Sequence, residues 1–298
     1  MNVLVFGGSG FLGSYVADAL LERGYAVTIY DIRPSPYLKG RGRMIVDTVM
    51  NAEKVSEAVA GHQVVYNFAG MADLNASIHQ PLETINLNVM GNLHVLEACR
   101  RHGVKRLLFA SSAYVFSKHG AFYGVSKKSS ELIIEEYARQ FDLNFTMLRY
   151  GSVYGQRADA TNRIYRIIRQ ALTEDKITFE GDGSELREYI HGRDAATLSV
   201  DVLEDDAFIN KHVILTGNER FRYKDLLYLI RETLDNTIEL EFLNQNYHGH
   251  YVMTPYTFAP TVGVKLTNNP HVDFGQGILE CIDRLYIEME REGSSDLT

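Results

Sequence analysis

Cysteine is scarce: Cys99 and Cys281 are the only two in 298 residues. Two isolated thiols in segments patterned as amphipathic helices exclude a disulfide framework and a cysteine metal cluster, which leaves burial as their expected role. Long apolar runs are missing as well. No stretch reaches the roughly eighteen apolar residues that a membrane-spanning helix needs. The chain enters Val3-Leu4-Val5-Phe6 with no charged leader or cleavage pattern before it, so a cytoplasmic location is expected. Basic charge is in deficit, with 30 Lys and Arg against 38 Asp and Glu and a formal net charge of -8. That excludes a general nucleic-acid binder, which needs a basic face to displace counterions from phosphates. Any anionic ligand must therefore be met by a few placed arginines. The histidines His62, His79, His94, His102, His119, His212, His248, His250 and His271 show no ligand spacing, the close pair His248 and His250 reads as a solvated loop, and no metal site is expected. Internal repeats, low-complexity tracts and linkers are absent from the sequence too.

What is present suits a globular enzyme: 45% hydrophobic and 23% charged residues can bury a substantial core. Through the first half, short apolar runs alternate with helical patterns. The predicted strands are Val3 to Phe6, Val27 to Tyr30, Val64 to Phe68, Arg106 to Ala110 and Phe145 to Leu148. Helices are predicted over Phe11 to Arg23, Ala52 to Val59, Leu82 to His102 and Tyr123 to Phe141, two of them closed by Gly24 and Gly103. This βαβ rhythm predicts an α/β protein built on a doubly wound parallel sheet. Past Gly155 the rhythm loosens. A helix near Asn162 to Thr173, a Gly181-Asp182-Gly183 turn, a strand at His212 to Leu215 and helices at Tyr223 to Leu234 and Phe274 to Met289 read as a smaller mixed C-terminal lobe. The expected division is 1-155 for the first domain, with further sheet and helix elements from 156-215, then 156-292 mainly for the second lobe, and a disordered tail at 293-298.

The first strand runs into Gly7-Gly8-Ser9-Gly10-Phe11-Leu12-Gly13 and then a helix. Glycines at a strand-to-helix turn let backbone N–H groups approach a pyrophosphate, and the helix end adds unpaired donors and a favourable dipole. Asp31 follows eighteen residues past Gly13, at the end of the second strand, where a carboxylate can accept from an adenosine ribose diol and would repel a 2′-phosphate. A Rossmann-type site for a dinucleotide is expected, with NAD favoured over NADP and Arg33 as the residue that weighs the other way.

Tyr123 and Lys127 are four apart at the start of a predicted helix, so both side chains lie on one face. A free tyrosine has a pKa of about 10, and making it a base near neutral pH takes about three units, or roughly 4 kcal/mol, from nearby positive charge. Lys127 and an oxidised nicotinamide are the available cations. Ser112, at a strand end just upstream, is placed to hydrogen-bond a substrate oxygen.

With these residues in place, the sequence resembles the extended short-chain dehydrogenase/reductases, most closely their NAD-dependent nucleotide-sugar epimerase and dehydratase branch. The glycine turn, Asp31, Asp47, Asn67-Phe68-Ala69-Gly70, Asn88, Ser111-Ser112-Ala113-Tyr114-Val115-Phe116, Tyr123-Gly124-Val125-Ser126-Lys127 and Leu148-Arg149-Tyr150-Gly151-Ser152-Val153-Tyr154-Gly155 follow the family's order. The segment Gly181-Asp182-Gly183-Ser184-Glu185-Leu186-Arg187-Glu188-Tyr189-Ile190-His191 looks like the family's sugar-nucleotide segment. The resemblance implies catalytic roles for Ser112, Tyr123 and Lys127. It implies a cofactor site drawn from Gly7, Gly10, Phe11, Leu12, Gly13, Asp31, Arg33, Asp47, Phe68, Ala69, Gly70, Asn88, Tyr123, Lys127 and Tyr150. It implies substrate contacts from Ser112, Ser152 and Arg187, with Arg187 gripping a diphosphate. Some departures are informative. Only ten residues separate Ser112 from Tyr123 where the family has a longer loop, so part of the substrate wall is expected to be missing. Ala113-Tyr114 stands where 4,6-dehydratases carry an Asp-Glu pair, which argues against that elimination. Ser152 replaces a common asparagine, and Ala72 a lysine found in some members.

The implied function is an NAD-dependent nucleotide-sugar epimerase, a 4-epimerase by expectation, acting on a nucleotide-diphosphate sugar. The alternatives are a reductase or dehydrogenase using the same triad, and a catalytically silent dinucleotide-binding protein. A homodimer is expected through Leu82 to His102 and Tyr123 to Phe141, with Leu87, Leu93, Leu132, Ile133 and Tyr137 as candidates for the outward apolar face.

Overall fold

The computed structural model describes residues 1-218, 220-235, 237-243, 264-268 and 272-295. Its strands are β1 (Asn2–Phe6), β2 (Ala26–Asp31), β3 (Arg43–Val46), β4 (Val64–Asn67), β5 (Arg106–Ser112), β6 (Phe145–Tyr150), β7 (Ser152–Tyr154), β8 (Lys176–Phe179), β9 (Leu186–His191), β10 (Lys211–Leu215), β11 (Arg220–Arg222), β12 (Glu239–Phe242) and β13 (Val264–Leu266). The α-helices are α1 (Phe11–Glu22), α2 (Ala52–Val59), α3 (Leu74–His79), α4 (Pro81–Ile85), α5 (Gly91–His102), α6 (Ala121–Phe141), α7 (Arg163–Glu174), α8 (Gly192–Glu204), α9 (Tyr223–Thr233) and α10 (Phe274–Ser295).

Eight parallel strands form the main sheet in the order β13-β10-β6-β5-β4-β1-β2-β3. Strands β1, β4 and β5 are apolar on both faces because helices cover both sides, the usual pattern of a parallel sheet. Alternation along β1 divides the core: Val3 and Val5 pack with Leu20 of α1 and Val202 of α8, while Leu4 and Phe6 pack with Val55 of α2, Leu96 of α5 and Ile134 of α6. From β1 the chain winds outward through β2 to β3, then returns to start β4 on the other side of β1. That reversal opens a crevice at the carboxyl ends of β1 and β4, where ligands bind in such sheets.

Two expectations change here. The single helix foreseen over Leu82 to His102 is instead α4, a π-helical turn at Asn86–Met90, and α5. The wider turn puts Asn88 where its side chain bonds the backbone of Met71 and Ser126 of α6, an interaction that helical periodicity does not encode. The C-terminal helix runs to Ser295, past the start foreseen for the tail at Gly293.

A third core, centred on Ile168, Ile177, Phe179, Leu226, Leu227 and Ile278, belongs to the second lobe. It is built from α7, α9 and α10 with two small sheets, β11-β9-β7 and β12-β8. The main sheet takes β10 and α8 from 156-215, and also β13 from farther on. His248, His250 and His271 lie outside the described residues. Cys99 and Cys281 are buried. Among the described residues no helix is long and apolar enough to cross a membrane.

Candidate active site

The carboxyl ends of β1, β2, β4, β5 and β6 carry most of the residues singled out from the sequence. At the first turn, Gly7 has φ +73°, and a Cβ there would lie 2.7 Å from the Ala69 nitrogen and the Phe68 carbonyl carbon. A Cβ on Gly13 would come within 2.3 Å of the Gly7 oxygen. Gly10 is the N-cap of α1, and no side chain caps that helix. The turn therefore folds tightly on itself, and the N-terminus of α1, at Phe11 and Leu12, has no side-chain cap from its N-cap residue. Such a cradle fits a pyrophosphate.

Asp31 closes β2, and its Oδ2 accepts from the Ser9 N–H at 2.9 Å. The Arg33 side chain is exposed, while its carbonyl accepts from Ser9 Oγ at 2.8 Å. The Asp47 N–H donates to the Asp31 carbonyl at 3.0 Å, which ties the backbone of the two acidic residues together. Asp47 Oδ1 accepts from the Thr48 N–H at 2.7 Å. Phe68 and Ala69 continue from β4, with the Phe68 ring stacked on Tyr66 and tilted against Tyr150. Gly70 has φ +142°, and any Cβ there would meet Asn88 Oδ1 at 2.4 Å.

Two of the implied cofactor residues have their polar atoms committed inside the protein. Asn88 donates to the Met71 carbonyl and Ser126 Oγ and accepts from the Met71 N–H, which makes it a bracket between the turn after β4 and α6. The Tyr150 hydroxyl lies 2.7 Å from Ser199 Oγ of α8, and burial pushes its pKa up.

Ser112, Tyr123 and Lys127 come together at the next turn. Lys127 Nζ donates to the Ala110 carbonyl of β5 at 2.8 Å, sits over the Phe109 ring and lies 5.9 Å from the Tyr123 ring centroid. Ser112 closes β5, with Oγ accepting from the Tyr114 N–H at 3.3 Å. The Tyr114 ring in turn meets Tyr123 edge-on at 6.2 Å. All three triad residues are buried. Burial lowers the Lys127 pKa to about 8, and the Glu131 carboxylate one turn farther along α6 opposes that shift.

The support behind Lys127 escaped sequence reasoning. Glu131 is held by two bonds from Arg149 of β6, at 2.6 and 2.9 Å, and by one from Ser111 Oγ at 2.6 Å. All three partners are buried. The signal was the i,i+4 step from Lys127 to Glu131, a carboxylate that needs a partner if buried.

A cavity of about 150 Å³ adjoins this site, lined by Tyr114, Ser152, Arg163, Glu185, Arg187 and Tyr223 among others. The structure thus brings Ser152 and Arg187 together on one wall. Arg187 is buried, and its Nη1 donates to the Leu186 carbonyl at 3.0 Å. Sequence reading missed Arg163, whose Nε donates to the Tyr223 hydroxyl at 2.6 Å and whose guanidinium covers the Phe179 and Tyr223 rings. Tyr114, from the short connection between Ser112 and Tyr123, lines this cavity.

The NAD dependent epimerase/dehydratase family model matches residues 3–217. A UDP-glucose 4-epimerase of Corynebacterium glutamicum is 30% identical over 273 residues, covering 81% of this chain and 83% of that protein. A UDP-N-acetyl-alpha-D-glucosaminuronate decarboxylase of Bacillus cytotoxicus is 28% identical, covering 72% and 74%. The crystal structure of a UDP-glucuronic acid 4-epimerase from Bacillus cereus, in complex with UDP-glucuronic acid and NAD, has a TM-score of 0.83 at 23% identity, covering 96% of this chain and 99% of that one. With the family match spanning most of the chain and the glycine turn, the acid on β2 and the Ser-Tyr-Lys set folded onto one sheet edge, this protein belongs to the NAD dependent epimerase/dehydratase family.

Proposed function

We propose that this chain is a nucleotide-sugar 4-epimerase, with Tyr123 as acid and base. The observation that carries the reading is the buried Tyr123 and Lys127 pair on α6, set against the end of β5 beside a cavity with two arginines. NAD would be held by the cradle of Gly7, Gly10 and Gly13 and by Asp31, and when bound it would supply a reversible hydride acceptor at the sugar carbon. The chain's own residues do the rest. Lys127, held to β5 by the Ala110 carbonyl, places a positive charge near the tyrosine, which favours the phenolate that can take the C4 hydroxyl proton. Ser112 orients that hydroxyl. Arg187, joined by Arg163, holds the diphosphate, so the sugar can turn over as a keto intermediate without leaving. Tyr123 then returns the proton to the inverted alcohol.

The test uses UDP-glucose, UDP-N-acetylglucosamine and UDP-glucuronic acid deuterated at C4. Product that keeps the label, with no free NADH, is the expected result. Stoichiometric free NADH would replace the epimerase with a dehydrogenase. A homodimer belongs to the same reading. Leu82, Val125 and Leu132 are 81%, 58% and 58% exposed along α4 and α6, an apolar stripe suited to a second copy. Leu87, Leu93, Ile133 and Tyr137 instead pack against the core.

A further inference from the structure

Glu185 is the odd residue in the arginine-lined cavity. It is 6% exposed, and its Oε2 is buried with no hydrogen-bond partner among the described residues. Its backbone is fixed, since the Glu185 carbonyl accepts from the Tyr223 N–H at 2.8 Å. A buried carboxylate oxygen with nothing to accept from is costly unless a ligand supplies the donor. The diphosphate cannot, because both are anions.

Its place along the strand says which part of the ligand can. Tyr189 pairs with Ser152, which follows two residues after Tyr150, itself the register partner of Ser112. Tyr189 therefore marks the reaction end of the cavity. Arg187 follows on the same face of β9 and Glu185 stands just ahead of the strand, all three lining the cavity, at steps of roughly 7 Å each for two extended residues. If Arg187 holds the diphosphate, the next group of a nucleotide sugar away from the sugar is the nucleoside ribose, whose hydroxyls are donors. Phe179 lies close by, since a Cβ on Gly181 would meet both Glu185 Oε1 and the Phe179 ring at 3.0 Å. The far end thus sets the acceptor beside a buried aromatic cluster, where the Phe179 ring stacks on Tyr223.

We propose that Glu185 accepts a hydrogen bond from the ribose 2′-hydroxyl of the substrate, so that the site selects ribonucleoside diphosphate sugars over 2′-deoxy ones. This rests on the nucleotide-sugar reading above and names the group that Glu185 reads.

The experiment titrates UDP and GDP, each with its 2′-deoxy counterpart, and dTDP into the NAD-loaded protein by calorimetry. A ribonucleotide is expected to bind about tenfold or more tightly than its deoxy form, the usual worth of one hydrogen bond to a charged acceptor. Glu185→Leu should bring that ratio to near one while leaving the deoxy affinity unchanged, which also shows that the variant is folded. Glu185→Gln, which keeps one neutral acceptor, should fall between. Arg187→Ala should weaken both forms equally. Without ligand, Glu185→Leu should melt no lower than wild type, because it removes a buried carboxylate oxygen that has no hydrogen-bond partner among the described residues. A full ribose preference in Glu185→Leu, or dTDP bound as tightly as UDP by the wild type, overturns the proposal and leaves the epimerase reading standing. Failure of every nucleotide to bind overturns both.

Discussion

Lys127 can be tested through stability as well as rate. The ammonium is buried between α6 and β5, it donates to the Ala110 carbonyl, and desolvation holds its pKa at about 8 against an ordinary value of 10.5. A folded pKa below the unfolded one means that the unfolded chain binds more protons between those values, so stability rises with pH across that window. The full shift is worth roughly 3 kcal/mol. Most of it is a penalty at neutral pH, and about 2 kcal/mol should be recovered between about pH 7 and about pH 9.5. Lys127→Met keeps the length and removes the charge, at the cost of about 1 kcal/mol or more for the unpaired Ala110 carbonyl. Urea unfolding of both proteins across this range isolates the lysine, because other titrating groups are common to the two. The wild type should gain about 2 kcal/mol relative to Lys127→Met as pH rises. Parallel stability curves would refute the claim that burial sets this group, whatever happens to activity.

Tyr123→Phe should lower turnover about 10²- to 10⁴-fold with NAD affinity unchanged by fluorescence titration, and full activity would remove the acid–base role. Gly13→Ala drives a Cβ to 2.3 Å from the Gly7 oxygen, so it should cost about 1–3 kcal/mol in thermal unfolding and most of the NAD affinity. Gly24→Ala, at φ +80° with nothing within 4 Å, should cost only about 1 kcal/mol and leave NAD binding alone. Calorimetry should find NAD bound more tightly than NADP because of Asp31, and equal affinities would contradict this. Light scattering at micromolar concentration should give a dimer mass that falls to the monomer in Leu132→Glu.

The parallel sheet was legible because buried strands read as unbroken apolar runs: Val3-Leu4-Val5-Phe6 and Val64-Val65-Tyr66 each announce themselves without neighbours. Strand β3 did not, since it is a short edge strand with Arg43 and Val46 exposed, and register with β2 holds it, not burial. The glycine turn, Asp31 and the Tyr123 to Lys127 step were legible because their geometry is local. The second lobe was harder. Strands β7, β9 and β11 have three to six residues, and their pairing brings Ser152, Arg187 and Phe221 together from distant stretches. No local pattern marks Arg163 or Glu185 as members of one cavity. For the same reason, Arg149 reads as a polar residue in a strand until the fold sets it against Glu131.

The short connection between Ser112 and Tyr123 shows how a deletion can reshape a site without opening it. Ser112 Oγ starts a tight turn by accepting from the Tyr114 N–H, and the chain is back on α6 by Ala121, whose φ of +45° is strained for a residue with a side chain. Gly120 makes room for the return: a Cβ there would lie 2.9 Å from the Gly124 Cα and 3.1 Å from Tyr114 Cβ. Tyr114 is thereby wedged between the loop and α6, with its ring on Tyr123 and its edge in the arginine cavity. Strain of this kind persists only where the surroundings over-determine the backbone, and here it sets an aromatic wall against the cavity. The wall stands next to Tyr123, so a smaller side chain at this position should widen that end of the cavity while Arg187 and Glu185 keep their places at the other. Tyr114→Ala should then raise KM for a small sugar such as UDP-glucose more than it does for a bulkier one such as UDP-N-acetylglucosamine. An equal rise for both would mean that Tyr114 only supports the loop.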